Sequence, residues 1–583
     1  MVELVQRALL AADLPAVAGV QVHVERTRDP SHGDFATNVA LVLAKPAGMP
    51  PRALAERIRA ALPADRAVTR TEIAGPGFIN FFLAPEAAAG VVLEVLERGE
   101  RYGASDLGAG RRLQVEYVSA NPTGPLHVGH GRGAAYGSVL SALLVEIGYD
   151  VQKEYYVNDA GRQVDILGIS VWLRYLEDNG AVLEFPARAY QGDYVRARAR
   201  DLAAAVGTRC VRDVAEVFAG VPRPVHSGTE EEIENSHEAE LDGLIAAARR
   251  LLGIDFDAMI ANVLERQLGE IRAVLDKFRV GFDRWYSERA LHGSGLIEQA
   301  IAALERGGHL YGKDGALWFR STAFGDDKDR VIRRENGAYT YFASDIAYHH
   351  DKFGRGFDAV IDVWGADHHG YIPRVRAALT ALGHDAAKLD VPLMQLVALF
   401  RGGEPVRMGK RSGSFVTLEE LVDEVGVDAA RFFYVARKAD QHFEFDLDLA
   451  KSQSADNPVY YVQMAHARVC SVWRQLAERG LTWDAVNARA NLGRLVEREE
   501  HALLATLERY PTVVRSAALD REPHQLAQYV RELATDLHAC YNAHKFIVDD
   551  SALRDARLAL VAAVRQVLAN GLRLLGVTAP ESM

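Results

Sequence analysis

A strand, a glycine-bearing turn and a helix follow one another between residues 113 and 147, and this unit constrains the fold more than any other segment. Residues 113–118 (LQVEYV) are strand-like, residues 121–125 (NPTGP) form a turn, and residues 131–147 have helical periodicity. This order opens a parallel sheet covered by helices. We therefore predict an α/β fold, with further strands at residues 316–319 and 359–364.

The chain of 583 residues is too long for one hydrophobic core, since a domain takes roughly 150 residues. Four regions are predicted. They are an N-terminal α/β module over residues 1–108, a central α/β domain over 109–400 with an inserted helical region at about 190–253, a loop and connecting region over 401–451, and an all-helical bundle over 452–583. Within the first module we expect an N-terminal helix, helical periodicity from Phe35 through Ala44, a helix from Pro51 and a strand at residues 78–82.

The composition indicates a soluble cytoplasmic protein with no membrane partner. Hydrophobic residues make up 49% of the chain and charged residues 25%, and no apolar run approaches the ~18 residues of a membrane span. The N-terminus lacks the layout of a secretory signal. Three cysteines without a CxxC pair offer neither a disulfide framework nor a zinc ribbon. The net charge of -12 argues weakly against a nucleic-acid partner, although the region beyond residue 451 is formally neutral.

Residues 127–130 (HVGH) lie where the first helix of the α/β unit begins. Backbone amides and the dipole at a helix N-terminus favour anionic oxygens, so this loop is a candidate phosphate site. Gly129 would let a nucleotide approach the backbone, and His127 and His130 could donate to a phosphate. The same pattern also fits half a metal site or two surface histidines.

Residues 407–414 (RMGKRSGS) combine glycines with three cations. Such a loop suits a mobile clamp on a triphosphate, although a solvated basic turn has the same composition. The two motifs together are more specific, because one follows the first strand of the α/β domain and the other precedes the helical bundle.

This pair of motifs resembles the HIGH and KMSKS signatures of class I aminoacyl-tRNA synthetases. The chain departs from them at Val128, Arg407 and Gly409. The resemblance implies a Rossmann-like catalytic domain that uses ATP with Mg²⁺ as its substrate complex, with no tightly bound protein metal. By resemblance the catalytic residues are His127, His130, Lys410 and Arg411, and the ATP-binding residues are Pro122, Thr123, Gly124, His127, Gly129, His130, His368, Met408 and Lys410.

The surrounding segments are similar to arginyl-tRNA synthetases over essentially the whole chain. They are residues 116–126 (EYVSANPTGPL), 155–161 (YYVNDAG), 339–345 (YTYFASD), 364–371 (WGADHHGY) and 575–580 (LGVTAP). The resemblance implies that the chain ligates L-arginine to tRNA(Arg) in two steps. ATP first forms arginyl-adenylate with release of pyrophosphate, and the arginyl group then passes to the terminal 2′-hydroxyl of the tRNA.

A guanidinium is planar and permanently charged, so its pocket needs carboxylates and an aromatic wall. Asp345 follows Tyr341 by four residues, which places both on one face at a helix start. By similarity these two residues hold the guanidinium, with Glu288 as a second carboxylate. Glu116, Asn121 and His127 are expected around the α-amino and carboxylate groups of arginine.

The two ends of the chain are expected to bind tRNA. By similarity the helical bundle is an anticodon-binding domain, where Tyr460 and Tyr461 could stack on bases, and the N-terminal module contacts the outer corner of the tRNA. Phe78 could stack there and Asn80 could read a base edge, because both lie on one face of a strand. Core packing is an alternative for each aromatic residue. A monomer is the default expectation.

Three other functions fit part of the sequence. A metal-dependent hydrolase could use residues 349–351 (HHD) and 367–369 (DHH) as ligands, but it leaves the basic loop unexplained. A non-catalytic tRNA-binding paralogue should have lost His127, His130 or Lys410, which are all present. Another class I amino acid, such as cysteine or glutamate, fits the pair of Tyr341 and Asp345 poorly.

Overall fold

The computed structural model describes residues 1–12, 22–27, 29–84, 87, 89–406 and 416–583. The basic loop of residues 407–414 falls outside these ranges. The predictions made for Met408, Lys410 and Arg411 therefore lie outside the described residues.

An antiparallel sheet covered by helices forms the N-terminal module. Its strands are β1 (Val24–Arg26), β2 (Phe35–Thr37), β3 (Val68–Ala74) and β4 (Phe78–Leu83), in the order β1-β2-β4-β3. The helices are α1 (Val2–Ala11), α2 (Val39–Ala47) and α3 (Pro51–Ala60), and a 3-10 turn spans Pro30–His32. The helix predicted from Phe35 was placed too early: residues 35–37 pair with β1 and β4, and the helix begins at Val39.

Five parallel strands form the sheet of the central domain. They are β5 (Arg112–Glu116), β6 (Asp150–Val157), β7 (Arg284–Ser287), β11 (Ala359–Asp362) and β13 (Leu389–Asp390), in the order β13-β11-β5-β6-β7. The chain runs outward from β5 through β6 to β7 and then returns to the other side of β5. Ligands of such sheets bind at the carboxyl ends of the strands beside this reversal. The predicted α/β fold with a parallel sheet is confirmed.

Helices cover this sheet. In chain order they are α4 (Gly90–Arg98), α5 (Val128–Glu146), α6 (Arg162–Asp178), α7 (Asp193–Val206), α8 (Val214–Val217), α9 (Glu230–Leu252), α10 (Ile254–Lys277), α11 (Glu288–Gly293), α12 (Leu296–Arg306), α13 (Tyr341–Gly354) and α14 (Ile372–Ala381). Helices α7 to α9 occupy the predicted insertion, and they share with α6 and α10 a hydrophobic cluster of their own. The region thus adds a helical layer and no strand among its described residues.

Smaller sheets and turns complete the central domain. The antiparallel set contains β8 (Leu310–Lys313), β9 (Ala316–Phe319) and β10 (Arg330–Arg333). Strands β12 (Trp364–Gly365) and β14 (Leu393–Met394) pair, and β15 (Val397–Arg401) lies between β16 (Glu404–Pro405) and β17 (Phe443–Asp446). The 3-10 turns span Gly99–Arg101, Ser321–Phe324, Ala366–Tyr371 and Ala386–Lys388.

The C-terminal region is helical, as its periodicity predicts. Helices α15 (Leu418–Val425), α16 (Val427–Val435) and α17 (Leu447–Lys451) connect the central domain to a bundle of α18 (Pro458–Glu478), α19 (Ala485–Asn491), α20 (Arg498–Leu519), α21 (His524–Ala543) and α22 (Ser551–Leu575), with a 3-10 turn at Leu492–Arg494. One hydrophobic cluster runs from the parallel sheet into this bundle. The central domain and the bundle are therefore packed together.

Helix α22 is long and apolar enough to cross a membrane, with a mean hydropathy of 1.5 over its most apolar stretch. That stretch is 78% buried within the protein. The side chains of Leu558, Val561, Val564 and Leu568 are fully enclosed by the bundle. The apolar composition of this helix is explained by its place at the centre of the bundle core.

Candidate active site

The two histidines of residues 127–130, here called the histidine loop, cap the N-terminus of α5. His127 Nδ1 accepts a hydrogen bond from the Gly129 amide at 3.1 Å, and His130 Nδ1 accepts one from the His127 amide at 3.2 Å. The two rings stack with their centroids 3.6 Å apart. Because each Nδ1 is an acceptor, the neutral ring carries its proton on Nε2. Both imidazoles thus provide an N–H donor at a helix N-terminus, where anions are favoured.

Gly129 is required by this arrangement. A Cβ atom there would lie 2.9 Å from His127 Cε1, so any side chain would displace the capping ring. The space that a side chain at residue 129 would fill is thus occupied by the ring of His127. Gly129 keeps the two rings stacked.

The described residues that follow the basic loop are hydrogen-bonded to the histidine loop. The Val128 amide donates to Val416 O at 3.2 Å, and the Leu418 amide donates to Leu126 O at 2.7 Å. His127 and Thr417 form an antiparallel bridge between these two bonds. Residues 416–418, which follow the basic loop, are therefore held next to the histidine loop, although the two segments are far apart in sequence.

Arg132 ties segments from both sides of the basic loop to α5. Its Nη1 donates to Gln395 O at 2.9 Å and to Gln441 O at 2.8 Å, and its Nη2 donates to Lys438 O at 2.6 Å. Gln395 leads into β15, and Gln441 leads into the neighbouring strand β17. Burial lowers the pKa of Arg132 to about 10, so the guanidinium stays charged at neutral pH. Helix α5 thus anchors both the histidine loop and the pair of strands β15 and β17, which precede and follow the basic loop in the chain.

The turn of residues 121–125 is held by the inserted helical region. The Tyr194 hydroxyl of α7 donates to Thr123 O at 2.8 Å, and a Cβ atom at Gly124 would lie 3.3 Å from that hydroxyl. Asn121 Nδ2 donates to Gln163 Oε1 at 2.7 Å. Pro122 and Thr123 are buried between these contacts. The insertion therefore positions the turn that precedes the histidine loop.

A cavity of about 450 Å³ opens at the carboxyl ends of β5, β6 and β11. It is lined by Glu116, Val118, Ser119, Asn121, Tyr156, Asn158, Tyr341, Asp345, Tyr348, His349, Val363, Trp364, Gly365, His368 and Tyr371. Five residues predicted from the sequence meet here: Glu116, Asn121, Tyr341, Asp345 and His368. The predicted residue Glu288 is not part of the lining. The lining also does not include His127, Pro122, Thr123 or Gly124, which lie at the histidine loop and the turn before it.

Tyr341 and Asp345 stand one turn apart at the start of α13, and both line the cavity. The Tyr341 side chain is 63% exposed, so its ring has a free face toward solvent. The Tyr371 hydroxyl donates to Asp345 Oδ2. Burial raises the pKa of Asp345, and the bond from Tyr371 opposes this rise. An aromatic ring and a carboxylate therefore face one space, as a guanidinium pocket requires.

Glu288 begins α11 close to Asp345 and is only 6% exposed. Its pKa is raised to about 7 by burial, and then by the charges of Asp345 and Asp159, while a hydrogen bond with Tyr156 opposes the rise. Asp159 is fixed by Ser287 Oγ at 2.7 Å and by the Arg289 amide at 2.8 Å. These three acids form a negative cluster that a bound cation would stabilise.

Glu116, at the end of β5, belongs to a buried network of charges beneath the cavity. Its Oε1 accepts from Ser119 Oγ at 2.8 Å, and its Oε2 accepts from the Tyr348 hydroxyl at 2.8 Å and from Lys352 Nζ. Lys352 is fully buried and also donates to Asp362 Oδ1 at 2.7 Å. Glu116 is thus oriented by neighbouring side chains before any substrate arrives.

The same network extends to Glu154, Arg355 and His349. The Tyr348 hydroxyl approaches Glu154 Oε1 at 2.7 Å, and Arg355 Nη2 donates to the same oxygen at 3.1 Å. His349 lies 2.8 Å from Asp345 O through Nδ1 and 3.0 Å from Asp362 Oδ2 through Nε2. Asp345 O and Asp362 Oδ2 lie on opposite sides of this ring, so His349 links the start of α13 to the end of β11. Lys352 and Arg355 supply positive charge beside Glu116, Glu154 and Asp362.

Sequence reasoning missed Tyr348, Lys352, Asp362 and Tyr371. A signal was present for two of them, because Tyr348 and Lys352 follow Asp345 at three and seven residues and so share its helix face. No local signal indicates Asp362 or Tyr371 as a partner, since their contacts with α13 depend on the sheet order. The structure thus adds a positioning layer behind the predicted residues.

Two of the histidines proposed as metal ligands in the hydrolase hypothesis, His349 and His350, contact other groups. His349 lies between Asp345 O and Asp362, and His350 Nδ1 is 2.7 Å from His384 Nε2. Within the described ranges, no group of three or more His, Cys, Asp or Glu side chains is arranged to hold a metal ion. The structure therefore gives no support to the metal-dependent hydrolase.

The residues predicted to bind tRNA differ in exposure. Phe78 is 39% exposed at the start of β4, whereas Asn80 is 4% exposed between β2 and β3. Tyr460 lines a cleft with Arg279, Lys451 and Gln463, and the Tyr461 ring lies 4.5 Å from His538. Phe78 and Tyr460 are accessible to a base, and Asn80 could read one only after local opening.

Three family models match the chain. The arginyl-tRNA synthetase N-terminal domain matches residues 1–83, the class I (R) tRNA synthetase catalytic domain matches residues 91–204 and 256–472, and the DALR anticodon-binding domain matches residues 462–583. The gap in the catalytic match falls within the helical layer formed by α7 to α10. The fold and the site thus define a class I aminoacyl-tRNA synthetase.

Sequence relatives show which family of class I synthetases the chain belongs to. An arginine–tRNA ligase of Thioalkalivibrio sulfidiphilus is 59% identical over 571 residues, which cover 98% of this chain and 96% of the relative. One from Halorhodospira halophila is 58% identical over 575 residues, covering 98% and 97%. The Thermus thermophilus arginyl-tRNA synthetase shares the fold with a TM-score of 0.72 at 24% identity, covering 100% and 99% of the two chains. The chain belongs to the arginyl-tRNA synthetase family.

Proposed function

We propose that the cavity beside α13 binds L-arginine and that the histidine loop binds ATP, so that the two substrates meet at the carboxyl end of β5. The family's reaction, which this chain carries out, ligates L-arginine to tRNA(Arg) in two steps. One observation supports this division most directly. The acidic cavity adjoins a helix N-terminus to which the chain following the basic loop is hydrogen-bonded.

Arginine is proposed to enter with its guanidinium toward Asp345, Glu288 and the ring of Tyr341. Carboxylates satisfy the fixed fork of N–H donors, and a planar cation stacks well on an aromatic face. Asn121 and Glu116 then lie near the α-amino and carboxylate groups. His127 is assigned to the same end of arginine, although it belongs to the histidine loop and is not part of the cavity lining.

ATP is proposed to lie over the histidine loop with Mg²⁺ on its phosphates. His127 and His130 present Nε2–H donors at the N-terminus of α5, where charge develops on the α-phosphate during attack. The turn of Pro122, Thr123 and Gly124, together with Gly129 and His368, completes the proposed ATP site. The arginine carboxylate is already ionised, so positioning and charge neutralisation carry this step without a general base.

The basic loop is proposed to neutralise the departing pyrophosphate. Met408, Lys410 and Arg411 are assigned to ATP and to catalysis on their sequence pattern alone, because they lie outside the described residues. The contacts of Val416, Thr417 and Arg132 support the assignment, since they hold both described flanks of the loop against α5.

The second step requires the tRNA acceptor end at the same site. The terminal 2′-hydroxyl attacks the carbonyl of arginyl-adenylate, and AMP leaves. Phe78 and Asn80 are proposed to contact the outer corner of the tRNA, and Tyr460 and Tyr461 its anticodon arm. We further propose a cytoplasmic monomer and retain the predicted regions of residues 1–108, 109–400, 401–451 and 452–583.

Pyrophosphate exchange into ATP across all the amino acids, with and without tRNA(Arg), tests the proposal. Exchange that depends on arginine is expected, and specificity for another amino acid would refute the arginine pocket. Replacing His127 with Gln should reduce the exchange rate constant by about 10²-fold or more, because a phosphate donor is lost. His384→Gln is the matched control: it removes an imidazole that pairs with His350 instead, and it should leave exchange unchanged.

A further inference from the structure

We propose that Tyr371 is a positioning residue for arginine recognition: its hydroxyl donates to Asp345 Oδ2 and orients that carboxylate toward the guanidinium. The inference rests on the proposed function, because it takes the cavity to be the arginine site. Tyr371 is the last residue of the turn Ala366–Tyr371 and directly precedes α14, so it lies outside α13, the helix that carries Asp345. The orientation of the acid is therefore imposed from a second element.

The ring of Tyr371 is fixed on several sides. Phe342 and Trp364 each pack edge-on against it with centroids 6.1 Å away, and the Arg374 guanidinium lies 4.4 Å from its centroid. A side chain held in this way loses little freedom when it forms its hydrogen bond. Asp345 thus meets a donor that is in place before arginine binds.

The hydroxyl is also a dependable donor. Burial, followed by the charge of Asp345, raises the pKa of Tyr371 well above its ordinary value, so the phenol keeps its proton. A phenol that donates to one oxygen of Asp345 leaves lone pairs on both oxygens for the guanidinium. The bond therefore fixes the plane of the carboxylate and does not block it.

The hydroxyl also favours the charged form of Asp345. Burial raises the pKa of this carboxyl, and the bond from Tyr371 is the largest opposing influence. The other ionisable groups that act on Asp345 are His349 on its own helix, Arg374 on α14, Glu116 on β5 and Glu288 on α11. Among these, Glu116 and Glu288 favour the neutral acid. Loss of the hydroxyl should therefore weaken arginine binding most at low pH.

The test is Tyr371→Phe, which keeps the ring and removes one oxygen. In tRNA-supported pyrophosphate exchange we expect the KM for arginine to rise about tenfold, as for loss of a hydrogen bond to a charged group. Its pH profile should shift to the alkaline side, because the lost hydroxyl favoured the charged form of Asp345. The KM for ATP should not change.

The matched control is Tyr175→Phe, which removes a hydroxyl that donates to Gly207 O at 2.7 Å in the inserted region. An unchanged arginine KM and pH profile in Tyr371→Phe would overturn the inference. Equal loss of arginine and ATP use would also overturn it, since Tyr371 would then only maintain the fold. If the unmodified enzyme shows no arginine-dependent exchange, the proposed function fails instead.

Discussion

Arginine binding should depend on pH through Glu288. Its pKa is raised to about 7, first by burial and then by the nearby charges of Asp345 and Asp159. Arginine keeps its own charge throughout the neutral pH range, so the group whose charge changes with pH belongs to the protein. The guanidinium pairs with the ionised carboxylate and not with the neutral acid. The KM for arginine should therefore fall as the pH rises through about 7.

The size of the effect follows from that pKa. One unit below it, at about pH 6, only ~10% of Glu288 is ionised, so the apparent affinity should be about tenfold lower than at about pH 8. This corresponds to ~1.4 kcal/mol of binding free energy. The bound guanidinium also lowers the pKa of Glu288, because an opposite charge favours the carboxylate.

The assay is the arginine KM in tRNA-supported pyrophosphate exchange, measured across this pH range with saturating ATP. Glu288→Gln should bind arginine more weakly at every pH and lose the dependence. His292→Gln is the control, because it removes an imidazole whose Nε2 lies 3.8 Å from Glu288 Oε1 and leaves the carboxylate itself in place. A KM for the unmodified enzyme that does not vary with pH, or an unaltered slope in Glu288→Gln, would refute the reasoning.

Three further outcomes are expected. Because the pKa of Glu288 is higher in the folded protein, folding takes up a proton, and the arginine-free enzyme should lose thermal stability as the pH rises from about 4.5 through about 7. Added arginine should offset this loss, and melting curves with and without arginine measure both effects. Lys352→Met removes the buried ammonium group that Glu116 and Asp362 share, and it should cost ~3–5 kcal/mol of unfolding free energy in urea titrations. The exposed control Lys388→Met should cost almost nothing. Gly137→Ala would place a Cβ atom 2.2 Å from Tyr117 Cγ and should destabilise the folded protein by ~1–3 kcal/mol. Gly133→Ala on the same helix meets nothing within 4 Å and should stabilise the folded protein by ~0.5–1 kcal/mol. The opposite order of stabilities in urea titrations would contradict the packing of α5.

The α/β fold could be predicted because its signals are local. The strand, turn and helix of residues 113–147 each follow from their own sequence, and their order specifies a parallel sheet. The helix predicted from Phe35 shows the limit of such reasoning. Residues 35–37 and the helix that follows form one continuous apolar pattern, and only pairing with β1 and β4 makes the first part a strand.

The candidate site, like the fold, has residues that could be predicted from the sequence and residues that could not. Glu116, Asn121, Tyr341, Asp345 and His368 were predicted from motif positions, and the structure places them around one cavity. Asp362 and Tyr371 could not be predicted, because their contacts with Lys352 and Asp345 arise from the packing of α13 against β11 and α14. The sequence pairs the histidine loop with the basic loop as two signatures of one family, but the bridge between His127 and Thr417 could not be read from it, because it joins distant parts of the chain.

Asp345→Asn tests the central claim most directly, because the amide keeps the size of the side chain and removes only its charge. We predict that tRNA-supported exchange loses its dependence on arginine at ordinary concentrations, with the KM raised by about 10²-fold or more, while ATP binding measured by calorimetry is unchanged. Asp327→Asn, which alters an exposed carboxylate, is the control. Equal loss of ATP binding and arginine use in Asp345→Asn, or an unchanged arginine KM, would contradict the assignment of this cavity to arginine.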